Sequence, residues 1–209
     1  MPFDLGFNAR ATAIYVTDGA EGVPCLAENY PHTYTNGNGN SINAGWTPNW
    51  NASGYDRAAT NDPRLAGINN IANGGAGTST FVVDLSSGSA PGAGTYTVDL
   101  AMGDAVNDQR QDFLLKDGTT TKIDGTNGGA GINTTAGHFL DATVTDVAAT
   151  TTWTGTPTSV TFAGTTVNLV VGPDSCGGNS QLAHFRLTLQ AAGATAFPPR
   201  MLMLTGVGA

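Results

Sequence analysis

The sequence predicts an all-β fold, an antiparallel β-sandwich of jelly-roll type. Three observations carry this: apolar and polar residues alternate with a period of two in several short runs, helical periodicity is nearly absent, and clusters of Gly, Asn, Asp and Pro separate the runs. Charged residues make up 11% against 40% hydrophobic, which excludes a disordered chain and supplies side chains for one shared interior. At 209 residues such a domain buries roughly 70% of its unfolded surface, so it needs no staples.

Residues 1–190 read as this sandwich. Within them, residues 28–73 are aromatic but lack a strong strand pattern, with Tyr30, Tyr34, Trp46, Trp50 and Tyr55 set among Asn and Gly. So long a stretch is either a decorated loop layer or a set of weak edge strands. Strands follow at 81–85, 95–101, 113–115, 139–147, 160–162 and 167–171, each short and rich in β-branched and aromatic residues. Residues 182–192 alternate as well, placing Ala183, Phe185, Leu187 and Leu189 on one face and turning His184, Arg186, Thr188 and Gln190 outward. Trp153, in a Thr-rich run, reads as a strand residue. Asp117-Gly118 predicts a tight hairpin, because Gly accepts positive φ without a Cβ clash. The glycine-rich stretch 124–129 is a longer loop; no Lys-Ser/Thr follows it and no helix stands ready to receive a phosphate.

Residues 191–209 form a C-terminal tail. Pro198 and Pro199 break any ladder, while Phe197, Met201, Leu202, Met203 and Leu204 make it apolar enough to pack along its own domain or to dock on a neighbour. A homo-oligomer is the expected arrangement.

Eight basic residues against sixteen acidic ones leave a net charge of −8, and the eight are scattered. Without a basic stripe, nucleic acid and anionic membrane are not expected partners. No 18 apolar residues run together, so no transmembrane helix is predicted. The N-terminus lacks the basic and apolar regions of a secretory signal, and the chain is expected to start here or to leave its cell by another route. Cys25 and Cys176 lie far apart and belong to no CxxC or Cys/His cluster; free thiols are expected ahead of a bridge, and zinc is not expected.

Catalytic patterns are weak. There is no G-x-S-x-G, the three histidines (His32, His138, His184) fall in separate segments, and the two glutamates sit together near the N-terminus. Neither a triad nor a carboxylate pair across a cleft is predicted, so the chain is read as a non-enzyme. Between two strands, Asp104, Asn107, Asp108 and Asp112 offer the oxygen ligands that calcium prefers. Asp104 and Asp108 are therefore the candidate metal ligands, although their spacing departs from the twelve-residue calcium loop and a hairpin corner accounts for the same residues. For sugars, Tyr34, Trp46, Trp50 and Tyr55 supply flat faces and Arg57 a polar handle. Burial of those rings to order their own segment is the competing reading.

The series FDLG (3–6), NAGW (43–46), Tyr55-Asp56-Arg57, Asp62-Pro-Arg-Leu-Ala66, FVVDL (81–85), GTYTVDLAMGD (94–104), LLKDG and the closing HFRLTL resembles the non-catalytic β-sandwich module of rhamnogalacturonan-type GDSL esterases, and more widely the malectin-like and galactose-binding-like jelly rolls. The resemblance implies a non-catalytic module with no cofactor beyond a structural calcium. A self-contained sandwich without an export signal is also similar to accessory proteins of tailed bacteriophages. The expected function is thus a structural or adhesion component of a virion surface, partnered by copies of itself or by other virion proteins. A free carbohydrate-binding module, extracellular and bound to surface glycans, is the alternative.

Overall fold

In a computed structural model, which describes residues 3–9, 23–25, 28–47, 52–57, 62–72, 78–149, 151–172 and 179–191, the chain is an antiparallel β-sandwich with no helix among those residues. One sheet contains β1 (Asp4–Ala9), β2 (Val23–Cys25), β5 (Ala52–Asp56), β6 (Gly67–Ala72), β8 (Gly94–Asp104), β13 (His138–Leu140), β14 (Asp146–Ala148), β15 (Thr158–Phe162) and β17 (Asn179–Leu189). The facing sheet runs β11 (Thr120–Asp124), β10 (Phe113–Asp117), β16 (Thr166–Val171), β7 (Ser79–Asp84), β4 (Ser41–Trp46) and β3 (His32–Thr35). A two-stranded ribbon, β9 (Gln109–Gln111) with β12 (Ile132–Thr134), sits beside them. Strands β1 and β2 pair in parallel; the other strand pairs are antiparallel.

The period of two builds the interior. Along β8, Tyr96, Val98, Leu100 and Met102 are buried against Phe81, Val83, Leu115, Leu169 and Val171 of the other sheet. Phe7 of β1 meets Tyr34 and Phe81 edge-on, with ring centroids 5.3 and 5.2 Å apart. Each such side chain contributes about 1.5–3 kcal/mol of burial. Asp117-Gly118 turns the β10–β11 hairpin, with Gly118 at φ 58°.

Four expectations need correction. Residues 28–73 contribute strands β3 to β6 to both sheets, of which β3 and β5 are edges while β4 and β6 are paired on both sides. The run 139–147 is a hairpin rather than one strand, because the Asp141 carboxylate accepts hydrogen bonds from the backbone N–H of Thr143 and Thr145 and bends the chain between β13 and β14. Trp153 lies in irregular chain; its ring packs edge-on against Phe139 and its indole N–H donates to Asp99 Oδ1 at 2.8 Å. Finally, His184 faces away from the sandwich interior yet is fully buried. A second small core of Leu65, Ile68, Ala101, Phe139, Ala149, Trp153 and Ala183 covers that outer face of the larger sheet. Alternation also put Ala183 on the face of Phe185, whereas a register shift between Leu182 and His184 turns it to the outer core; a period of two reveals neither such a shift nor what lies over a face.

Candidate functional site

The polar corner where β8 ends is organised around Asp104. Its carboxylate is wholly buried and accepts two hydrogen bonds from Arg57, Nε to Oδ1 at 2.8 Å and Nη2 to Oδ2 at 2.7 Å. Two further donors complete it: the Val106 backbone N–H at 3.0 Å and Asn107 Nδ2 at 2.9 Å. Burial pushes this carboxyl upward, but the Arg57 guanidinium, Asn107 and the Val106 N–H outweigh it and hold the group below the ordinary 3.8. A bidentate arginine of this kind fixes geometry as well as charge.

On the far side of the pair, the Arg57 guanidinium stands 5.0 Å from the centroid of the Tyr55 ring. Tyr55 is 42% exposed and Val106 50%, the two large hydrophobic side chains left in solvent among the described residues. Both flank the Arg57–Asp104 pair, one through Arg57 and one through its own backbone N–H. Beyond Val106 the bend reaches Asp108, whose carboxylate accepts from the Ala136 N–H at 2.8 Å.

The sequence-predicted residues therefore divide. Tyr55 and Arg57, read as glycan contacts, and Asp104, read as a calcium ligand, come together in one cluster, with Asp108 four residues further on. Asp104 spends both oxygens on Arg57, which leaves a cation no unshared charge there. Among the described residues, no group of three or more His, Cys, Asp or Glu side chains is placed to hold a metal ion. Tyr34 and Trp46 are buried in the core, Trp46 donating its indole N–H to Asn69 Oδ1 at 3.1 Å, so neither presents a face for stacking. Trp50, Cys176 and the tail residues Phe197, Met201, Leu202, Met203 and Leu204 lie outside the described residues, as does the side chain of Cys25. Asn107, read as a calcium-type oxygen donor, instead donates its amide to Asp104, and Val106 was not singled out by sequence; its signal is the bend itself, a valine between two aspartates that turn the chain.

Two other titratable clusters contain a histidine, and one of them adjoins this corner, because His138 pairs with Asp104 across the β13–β8 ladder. His184 Nδ1 lies 2.7 Å from Asn8 Oδ1, and its Nε2 lies 3.5 Å from Asp99 Oδ2. Burial pushes the Asp99 carboxyl up, and the hydrogen bond and charge of His184 together with the Trp153 indole bring it below the ordinary value. His138, partly exposed, meets Asp146 at 3.2 Å. Each of these two rings has an acid, and no hydrogen bond to a serine, threonine or cysteine side chain is seen for either imidazole among the described residues.

No protein-family model matches the chain, and no curated protein matches it. Among solved structures, protein YxiM from Bacillus subtilis is similar over 90% of this chain and 40% of its own, with a TM-score of 0.50 and 12% sequence identity. Identity at that level shows a shared fold alone, and this chain spans less than half of that protein's length.

Proposed function

We propose that this chain is a non-catalytic structural and adhesion module that makes its contacts through the Tyr55, Arg57 and Val106 corner. The carrying observation is the exposure of Tyr55 and Val106 beside an ion pair that is fixed on its buried side. Tyrosine and arginine anchor many interfaces because they bring contact area and hydrogen-bonding capacity with few rotatable bonds to freeze. Here the ring and the guanidinium are already held together before any partner arrives, which lowers the ordering cost of association. The His138 and His184 rings are engaged with Asp146, Asn8 and Asp99 and with no described hydroxyl or thiol side chain, which supports a binding role over a hydrolytic one.

The similarity to YxiM, in which this fold accounts for 40% of the chain, supports reading the sandwich as a module. By fold analogy we place this module on a virion surface. A photo-reactive benzophenone side chain at position 55, in particles or cells of the source, tests the contact. Cross-linking to a partner from position 55, and none from position 120 on the edge strand β11, is the expected result. Equal yields from both positions, or none from either, overturn it.

A further inference from the structure

A second surface feature lies beside this corner, on the ribbon of β9 and β12. A groove of about 400 Å³ is lined by Asp108, Gln109, Arg110, Asn133, Thr134 and Thr135. That volume falls within the range of small-molecule sites, about 300–1,000 Å³. All six lining residues carry a polar group, one of them a carboxylate and one a guanidinium, while their aliphatic stems and methyls supply the apolar part of the surface and no ring contributes.

The walls are fixed before any ligand enters. Asn133 pairs with Arg110 and Thr134 with Gln109 across the ribbon. Arg110 Nε donates to Asn133 Oδ1 at 3.2 Å, and the Asp108 carboxylate is tied to the Ala136 N–H. Thr134, at 2% exposure, forms the floor; its hydroxyl lies 3.3 Å from Gln111 Nε2 and 3.4 Å from the Gln109 carbonyl. Beneath the floor Gln111 Oε1 accepts the Gln181 N–H at 2.9 Å, and Ser180 Oγ accepts the Asp112 N–H at 3.0 Å. Gln181 Oε1 is buried with no hydrogen-bond partner among the described residues. Burying so many amides and hydroxyls costs stability, and a sandwich of this size does not require them. What they accomplish is to lock the short ribbon onto β17 and hold its groove open in one shape.

We infer that this groove binds a small uncharged polyol, held by hydrogen bonds to amide, hydroxyl and carboxylate groups rather than by stacking. Balanced donors and acceptors suit hydroxyls, which serve as both. The matched charges leave no excess to attract an ion. The site is independent of the Tyr55 contact, so either can fail without the other.

The test is titration by saturation-transfer NMR with myo-inositol and glucose, set against glucuronate and glucosamine as charged comparators. Saturable binding of a neutral polyol is expected, weakened at least tenfold by Asn133→Ala and by Thr134→Val and unchanged by Tyr55→Ala. Asn133 is exposed, so its variant keeps its melting temperature and separates lost binding from lost folding. Three results overturn the assignment: no saturable binding of either neutral polyol, binding of the charged comparators alone, or neutral binding that a folded Asn133→Ala leaves intact.

Discussion

Asp104 shows how much one residue can organise and how little of that its neighbours in sequence reveal. An aspartate ahead of Ala-Val-Asn-Asp reads equally well as a turn former or as an ion ligand. Its actual partner, Arg57, is 47 residues away, and no local spacing encodes that pairing. Removing the guanidinium leaves a buried carboxylate with only Asn107 and the Val106 N–H. Arg57→Ala should therefore cost about 3 kcal/mol, measured by urea denaturation, while Asp108→Ala, which loses one exposed bond to the Ala136 N–H, should cost about 0.5–1.5 kcal/mol. Asp4, Asp62, Asp99, Asp104 and Asp141 behave alike: burial raises each carboxyl, and hydrogen bonds with or without a nearby cation more than reverse it, leaving all five below 3.8. A depressed folded-state value means the stabilisation is complete above the unfolded value and is lost as pH falls through the folded one. The melting temperature should hold steady from neutral pH down to the ordinary aspartate range and fall steeply below it. Asp104→Asn, less stable at neutral pH, should show a shallower fall in the same scan.

Strands with strict alternation were legible because one buried face imposes a period of two whatever the partner. β8, β16 and the 184–189 part of β17 are of this kind, as is the Asp117-Gly118 hairpin, whose turn chemistry is local. What lay beyond reading were elements defined by something across space. The segment carrying Trp153 has the composition of a strand, yet Asp62 and Asp99 pin it over the outer face: Asp62 Oδ2 accepts the Trp153 backbone N–H at 2.6 Å and Asp99 its indole N–H. Asp141 Oδ2 fixes the same segment through the Thr156 N–H at 2.8 Å. Gly155 lies directly against the Trp153 ring, leaving no room for a Cβ. Gly155→Val should push the ring off Phe139 and cost about 1–3 kcal/mol, with a red-shifted component in tryptophan emission. An unshifted spectrum would show that the indole is not packed as described.

For the whole molecule, the sandwich class and the shared apolar interior followed from composition and periodicity, whereas the order of strands did not. β1 pairs with β17, bringing residues 4–8 against 184–188, so the larger sheet closes only when nearly the entire chain has been collected. Topology of this kind places refolding in the milliseconds-to-seconds range rather than microseconds, which stopped-flow fluorescence can check. The same closure explains why a site was hard to foresee: Tyr55, Arg57 and Asp104 meet only after β5, β6, β17 and β8 have lined up in one sheet. On the proposed function, this assembly makes contacts and breaks no bonds. Initial rates on generic p-nitrophenyl esters and glycosides, measured for the native chain and for His138→Ala and His184→Ala, test it most directly. All three proteins should match the buffer blank; turnover by the native chain that either substitution abolishes would contradict the claim.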